Sequence, residues 1–374
     1  MRVAIATESF LPQINGVTNS VLRVLEHLER NGDTALVMAP GRQGPMHYAG
    51  AEVRRMAALS LPGYPDVQVS LRGTRGFSEV LAEFEPDVVH LASPFVLGPP
   101  VIRAADALGV PVVSVFQTDI AGFARHYGLG VAERIAWRRI RNIHSACDRT
   151  LVPSHPTLAQ LEHQGIPRLH YWPRGVDGER FHPRHRSASW QQRMAPQGVV
   201  FVGFVGRLAH EKQVRNLAAL ADIPGVSIVI VGDGPAREDL ERLLPQAHFL
   251  GFLGGTDLSE ALASFDLLVH TGEHETFCQS VQEGLASGIP VVAPRSGGPI
   301  DLIAPSHTGW LYEPGNATDL RDKVRDLVGD SAKRKAMGAS ARESVATRTW
   351  AGVCDRLMEH YRDATGHRVS EEAA

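Results

Sequence analysis

Short, mostly apolar runs alternate along the chain with longer stretches in which apolar residues recur every three or four positions. Residues 3–6, 35–39, 88–91 and 112–116 have the length and composition of buried strands. Between the first two, Val17, Val21, Val24, Leu25 and Leu28 fall on one face of a helix over residues 17–30. Residues 81–85 close a further helix before Pro86-Asp87 opens the next strand, and residues 151–154 read as one more strand, with a helix over 156–164 behind it. Strands alternating with helices predict a parallel sheet covered by helices on its faces.

The alternation breaks at 178–197, where Arg180, His182, Pro183, Arg184, His185, Arg186, Ser187 and Ser189 show little periodicity. A second strand–helix series follows, with strands expected at 199–206, 227–231, 247–252, 267–270 and 290–293. The pattern predicts a first domain over 1–177, a linker over 178–197, a second domain over 198–349, and a last helix and tail over 350–374. In that helix Val353, Leu357, Met358 and Tyr361 share a face. The expected fold is α/β, two Rossmann-like domains facing a cleft, with ligands beyond the carboxyl ends of the strands.

Composition narrows this picture. A chain of 374 residues with 43% hydrophobic content suits two domains, and a net charge of −3 argues against a nucleic-acid partner. Three dispersed cysteines, Cys147, Cys278 and Cys354, offer neither a disulfide framework nor a zinc motif. The opening run reads as a strand rather than a signal peptide. No apolar run approaches the ~20 residues of a membrane-spanning helix. The expectation is a cytoplasmic protein, with membrane contact only at its surface.

Several loops at strand ends carry candidate chemistry. In Gly206-Arg207-Leu208-Ala209-His210-Glu211-Lys212, Arg207 and Lys212 follow a strand and could neutralise a diphosphate; they could equally be two solvated cations. Glu275 and Glu283 are eight positions apart, slightly over two helical turns, so a helix beginning at Glu275 would put both on one face. Carboxylates there would accept hydrogen bonds from sugar or ribose hydroxyls; the alternative is a helix-start glutamate and an unrelated surface one. Gly232-Asp233-Gly234-Pro235 is a βα turn or a loop close to a nucleotide. Asn15-Gly16, directly before a helix, is a plain turn or an approach to phosphate. Ser296-Gly297-Gly298-Pro299 is a turn or a set of backbone donors. Asp119, in Phe116-Gln117-Thr118-Asp119, is either a base for an acceptor hydroxyl or a helix N-cap.

Taken together and in order, these residues resemble the retaining glycosyltransferases of family 4, which have the GT-B fold, and the resemblance covers essentially the whole chain. Arg174-Gly175-Val176-Asp177, followed by Phe181 and Pro183, resembles the family's interdomain segment, and the helix from Trp350 resembles one that crosses back to the first domain. The stretch from Thr7 to Ser20 looks most like that of actinobacterial GDP-mannose-dependent α-mannosyltransferases, which act on membrane glycolipids. The resemblance implies a hexosyltransferase without cofactor or metal, and no Asp-x-Asp motif occurs in the chain. It implies that Arg207 and Lys212 hold the diphosphate, that Glu275 contacts the transferred sugar and Glu283 the ribose, and that Asn15, Gly16, Gly206, Asp233, Gly234 and Pro235 line the donor. The implied partners are a nucleotide diphosphate sugar, GDP-mannose in this reading, and a glycolipid acceptor. Two departures stand out: Gln117 occupies a position where many members have His, and Asp301 one where many have Glu.

An anionic membrane surface is the third expected partner. Arg125, Arg134, Arg138, Arg139 and Arg141 crowd a segment whose one acid is Glu133, with Ile135, Trp137 and Ile140 interleaved. Such a helix could lie on the inner face of the plasma membrane, with Arg138, Arg139 and Arg141 touching lipid or acceptor. Solvated or paired arginines and a core Trp137 fit the same residues. Rival functions are a sugar-nucleotide 2-epimerase, a transferase using a UDP-sugar, an NAD-dependent dehydrogenase and a non-catalytic nucleotide binder. The dehydrogenase is disfavoured because no G-x-G-x-x-G follows the first strand.

Overall fold

The computed structural model describes residues 1–61, 64–70, 73–122, 130–195 and 198–372. The chain forms two compact units, Met1–Arg174 together with Trp350–Ala374, and Gly175–Thr349.

The first unit contains strands β1 (Arg2–Ala6), β2 (Thr34–Pro40), β3 (His47–Tyr48), β4 (Ala51–Met56), β5 (Ala58–Leu61), β6 (Tyr64–Ser70), β7 (Val88–Leu91), β8 (Val112–Val115), β9 (Arg149–Val152) and β10 (Leu169–Tyr171). Its helices are α1 (Gly16–Arg30), α2 (Thr74–Phe84), α3 (Gly98–Asp106), α4 (Gly130–Ser145) and α5 (His155–His163). The main sheet runs β10-β9-β8-β7-β1-β2-β4-β3 and is parallel apart from the β3–β4 edge pair; β5 and β6 form a separate antiparallel ribbon. The two faces of β1 show how the layers form. Val3 and Ile5 pack with Val21 and Leu25 of α1, whereas Ala4 and Ala6 pack with Phe77 and Leu81 of α2 and Val101 of α3. A central strand buried on both sides needs the continuous apolar run that the sequence shows.

The second unit has α6 (Ala188–Met194), then strands β11 (Val200–Val205), β12 (Val226–Val231), β13 (His248–Gly251), β14 (Leu267–Val269), β15 (Val291–Pro294) and β16 (Gly309–Tyr312). Its remaining helices are α7 (Arg237–Leu243), α8 (Gly255–Ser264), α9 (Gln279–Ala286), α10 (Pro299–Leu302), α11 (Ala317–Val328) and α12 (Ser331–Val345). The sheet is parallel throughout, in the order β13-β12-β11-β14-β15-β16. Winding therefore proceeds outward from β11 in one direction and then from β14 in the other. The loops after β11 and β14 diverge at this reversal, which makes it the natural ligand crevice of such a sheet.

Two expectations change. The segment expected as a linker, 178–197, is largely packed into the second unit: Trp190 of α6 is buried against the rings of Phe201 and Phe265, at 5.7 and 5.9 Å, and Arg186 bonds Asp266 and the Phe265 carbonyl. Its elements are too short to show periodicity. The strands β4 and β16 escaped the sequence reading because the first carries Arg54 and Arg55 in mid-strand and the second is only four residues long.

The last helix, α13 (Trp350–Glu372), belongs to the first unit, where Val353, Leu357, Met358 and Tyr361 join the cluster around Val21 and Val24. Trp172 is fully buried there and donates from Nε1 to the Val353 carbonyl at 2.9 Å. Trp172→Phe loses this bond and leaves space behind the smaller ring. The expected cost is about 1–3 kcal/mol, seen as a lower urea midpoint by circular dichroism; an unchanged midpoint would show that the indole is not a tie between α13 and the sheet.

Candidate functional site

The reversal point of the second sheet brings two of the predicted residues together. Lys212 ends a 3₁₀ turn, His210–Lys212, after β11. Glu275 lies in the loop between β14 and α9. Lys212 Nζ donates to Glu275 Oε1 at 2.5 Å, and the Thr271 hydroxyl donates to the Lys212 carbonyl at 2.6 Å. His270 Nε2 lies 3.1 Å from the same carboxylate oxygen, at ion-pair distance but without hydrogen-bond geometry.

Electrostatics follow from this crowding. Burial raises the Glu275 carboxyl, but Lys212 and His270 outweigh it and hold the group well below the usual carboxylate range. Burial lowers Lys212, and Glu275 more than restores it. Burial also lowers His270, while Cys278 and Glu275 pull it up, to about 10. The result is an ionised carboxylate held between two cationic side chains.

Arg207 differs from Lys212. It is exposed in the loop after β11, and its guanidinium has no hydrogen bond or ion pair to the described residues. A guanidinium in this state has its planar fork of donors available to an oxyanion.

Backbone packing fixes these loops. The Leu208 amide donates to the Asp233 carbonyl at 2.9 Å, and the Gly206 amide to Val231 at 3.0 Å. Gly232 has φ +138, and a Cβ there would collide with the Gly206 carbonyl. Close approach of two chains is thus what the Gly232-Asp233-Gly234-Pro235 turn requires. Asp233 itself bonds the Gly234 amide at 2.7 Å and Arg237 at 3.3 Å. On the other side, the Gly298 amide donates to the Glu275 carbonyl at 2.8 Å, and the Ser296 hydroxyl to the Glu273 carbonyl at 2.7 Å. A Cβ on Gly298 would strike the Phe277 carbonyl. The paired glycines after β15 therefore clamp the loop that carries Glu275.

The expected helix spacing of Glu275 and Glu283 is not what the structure contains. Helix α9 starts at Gln279, so Glu275 precedes it, and Cys278 at the cap position has φ +79. The two glutamates have separate surroundings. Glu283 sits on α9, where burial raises its carboxyl to about 7, opposed by Arg180 and a Gln279 hydrogen bond and assisted by Asp177.

The predicted residues of the first unit are mostly engaged locally. Asn15 caps α1 through Oδ1, accepting from the Thr18 amide at 3.0 Å, and its Nδ2 donates to Ser9 at 2.6 Å. Gly16 opens α1 with empty space where a Cβ would stand. Both oxygens of Asp119 are taken, by the Gly122 amide at 2.8 Å and Gln160 at 3.3 Å, which is a cap and not a free base. Gln117 bridges the Ala92 carbonyl, at 2.6 Å, and the buried Arg174.

On α4, the expected interleaved face resolves into two. Trp137 and Ile140 are core. Arg139 bonds the Phe95 carbonyl at 2.6 Å and Arg141 the Gln164 carbonyl at 2.7 Å, so both serve the fold. Val131, Arg134, Ile135 and Arg138 are exposed and fall on one stripe; neither arginine has a partner among the described residues. Arg125 lies outside the described residues.

Sequence reasoning missed His270, Cys278 and Glu8. Glu8 accepts from the Leu97 amide at 2.9 Å and from Val96; burial raises it to about 7 against those bonds and Arg139. A histidine or glutamate at the carboxyl end of a buried strand was the available signal.

The sequence and the fold both have known relatives. Residues 14–180 match Glycosyltransferase Family 4, and residues 188–344 match Glycosyl transferases group 1. A GDP-mannose-dependent alpha-mannosyltransferase of Mycolicibacterium smegmatis is 49% identical over 98% of this chain and 99% of its own. One from Mycobacterium tuberculosis is 48% identical over 100% and 99%. The solved sucrose-phosphate synthase of Thermosynechococcus elongatus superposes with a TM-score of 0.83 at 19% identity, over 98% of this chain and 99% of that one. The chain belongs to the family-4 glycosyltransferases, with the two α/β units of the GT-B fold.

The raised Glu283 carboxyl gives a pH signature. Below its ordinary value of 4.5 it is protonated folded or unfolded. Between 4.5 and about 7 only the unfolded chain ionises, so rising pH favours unfolding. Above that window the penalty is constant. The stability of Glu283→Gln relative to wild type should therefore grow across the window and then level off, read as the difference in thermal midpoint at each pH. A difference independent of pH would show that burial does not hold this carboxyl neutral.

Proposed function

We propose that this protein transfers a mannosyl residue from GDP-mannose, with retention of anomeric configuration, to a glycolipid acceptor at a membrane surface. Similarity over nearly the full chain to enzymes named GDP-mannose-dependent alpha-mannosyltransferase supports the donor. The observation that carries the chemistry is the Lys212–Glu275 pair at the sheet's reversal point, with Arg207 on the same loop as Lys212.

In this reading Arg207 and Lys212 receive the diphosphate and neutralise the charge that develops as the nucleotide leaves. These two cations take the part for which other transferases use a divalent metal. Glu275, held ionised, accepts hydrogen bonds from hydroxyls of the transferred sugar, and Glu283 from the ribose. Gly16, with room above its Cα, allows backbone to approach the donor. Retention proceeds by front-face displacement through an oxocarbenium-like state, and the departing diphosphate takes the acceptor proton. The protein contributes positioning and charge rather than a covalent nucleophile. Asp119 has no part in this scheme, because its oxygens are already committed.

The membrane contact is the exposed stripe of α4. Val131 and Ile135 are 64% and 63% exposed, flanked by Arg134 and Arg138. Apolar side chains between exposed cations suit an anionic leaflet, and a helix lying in the interface needs no spanning segment. Among the described residues no helix is long and apolar enough to cross a membrane. The surface in question is the inner face of the plasma membrane.

Arg207→Ala and Lys212→Ala should each lower kcat by about 10²–10³, measured as GDP release from GDP-mannose with a membrane lipid extract as acceptor. UDP-glucose and UDP-GlcNAc should turn over far more slowly, and EDTA should leave the wild-type rate intact. EDTA inhibition restored by Mg²⁺ or Mn²⁺, or equal use of the UDP-sugars, would defeat the assignment.

Arg134→Ser with Arg138→Ser should weaken binding to anionic liposomes at low salt by about 2 kcal/mol, roughly thirtyfold, at about 1 kcal/mol per cation. Co-sedimentation across a salt series reads this. Wild-type protein that ignores anionic liposomes at low salt would rule the surface out.

A further inference from the structure

The proposed transfer uses Lys212 and Glu275, gives His270 only the part of a charge beside Glu275, and leaves Cys278 without a task. His270 is 3% exposed, and its Nε2 has no hydrogen-bond partner among the described residues. That nitrogen is aimed at the Glu275 carboxylate, 3.1 Å away. The ring is fixed on one side by Phe204, stacked at 6.2 Å with 11° between the planes. The Cys278 sulfur completes the group: the thiol, one ring nitrogen of His270 and one oxygen of Glu275 all lie within 4.8 Å of one another. Gly272 bounds the same space. A Cβ there would come within 3.0 Å of His270 Nε2 and 3.1 Å of Glu275 Oε1, so backbone and not a side chain closes that wall.

The imidazole of His270, whose Nε2 faces the Glu275 carboxylate, joins a thiol and a carboxylate in the donor set of a borderline-soft divalent cation, which on binding displaces the protons of the ring nitrogen and the thiol. Tetrahedral Zn²⁺ holds such atoms at about 2.0–2.3 Å, hence roughly 3.5 Å from one another. Closing the cluster onto an ion therefore takes about 1 Å of side-chain movement. The path in is short, since the side chains of Glu275 and Lys212 are 14% and 26% exposed. A divalent ion beside the Lys212 ammonium is repelled, but Lys212 has a long stem with which to swing away from the carboxylate.

We propose that His270, Glu275 and Cys278 form a binding site for Zn²⁺, and that the bound ion takes Glu275 from Lys212 and inhibits sugar transfer. The inhibitory half rests on the reading that Glu275 serves the donor sugar; the binding half does not. The ion is an inhibitor here and takes no part in the reaction.

The test uses full-length protein stripped with EDTA and desalted. Titration with Co²⁺, a spectroscopic stand-in for Zn²⁺, should give one equivalent bound per chain, with a thiolate-to-cobalt charge-transfer band that Zn²⁺ bleaches. Cys278→Ser should abolish the band and His270→Gln should weaken binding about tenfold or more, while Cys147→Ser and Cys354→Ser keep it. No band in wild type, or a band that survives Cys278→Ser, overturns the site. If Cys278→Ser does not fold, His270→Gln decides in its place: unchanged affinity overturns the site. In parallel, Zn²⁺ should lower wild-type mannosyl transfer about tenfold or more and EDTA should restore it. Each variant's rate is referred to its own zinc-free value, and Cys278→Ser should resist. Cobalt binding without zinc inhibition overturns the inhibitory half and turns against a donor role for Glu275. Absence of transfer in the zinc-free wild type counts against the functional reading alone, because the cobalt titration still decides the site.

Discussion

A parallel sheet that winds outward from its first strand in one direction, and then from its fourth in the other, must leave two loops diverging at one edge. In the second unit those strands are β11 and β14. No helix crossover can cover the space between them, because each successive crossover moves away from it. Lys212 comes from one of these loops and Glu275 from the other. Their ion pair is a product of strand order before it is a product of side-chain chemistry. The same reversal occurs in the first unit between β1 and β7, and there too a polar link spans it, from Glu8 to the amides of Val96 and Leu97.

Charged groups at such an edge are useful only if they hold still. The structure achieves this with backbone rather than with bulk. Chains run side by side at Gly206 and Gly232, and again at Phe277 and Gly298, with separations that any side chain would prevent. The loops are locked by amide–carbonyl bonds, so the Lys212–Glu275 pair and the exposed Arg207 side chain stand on fixed backbone. Around Glu275 the charge balance is then set by what burial permits: an ionised carboxylate between lysine and histidine is tolerable, whereas it would not survive alone.

How much of this was legible in the sequence depended on the length scale of the signal. Both α/β series were visible, because a strand buried on both faces must be apolar along its length, as β1, β7 and β11 are. The family was visible from the order of its loops. Short elements were not: α6 and its buried Trp190 looked like linker because seven residues cannot display a helical period. The pairing of Lys212 with Glu275 was hidden as well, since 63 residues separate them and only the strand order makes them neighbours. The eight-residue spacing of the glutamates suggested a shared helix face, but the αL turn at Cys278 starts the helix too late. Whether Arg139 and Arg141 met lipid or the fold stayed open, because carbonyl partners such as those of Phe95 and Gln164 leave no trace in a sequence.

The return of α13 to the first unit has a consequence for how the chain is made. Gly175–Thr349 is contiguous in sequence, whereas the first unit is split around it. On a ribosome the second unit is complete as soon as its last strand and helices emerge. The first unit waits: its cluster around Val21, Val24 and Trp172 lacks Val353, Leu357 and Tyr361 until the chain beyond residue 349 has been made. Of the two units, the one begun earlier is therefore completed later, and until then it carries an uncovered apolar face of the kind that chaperones recognise.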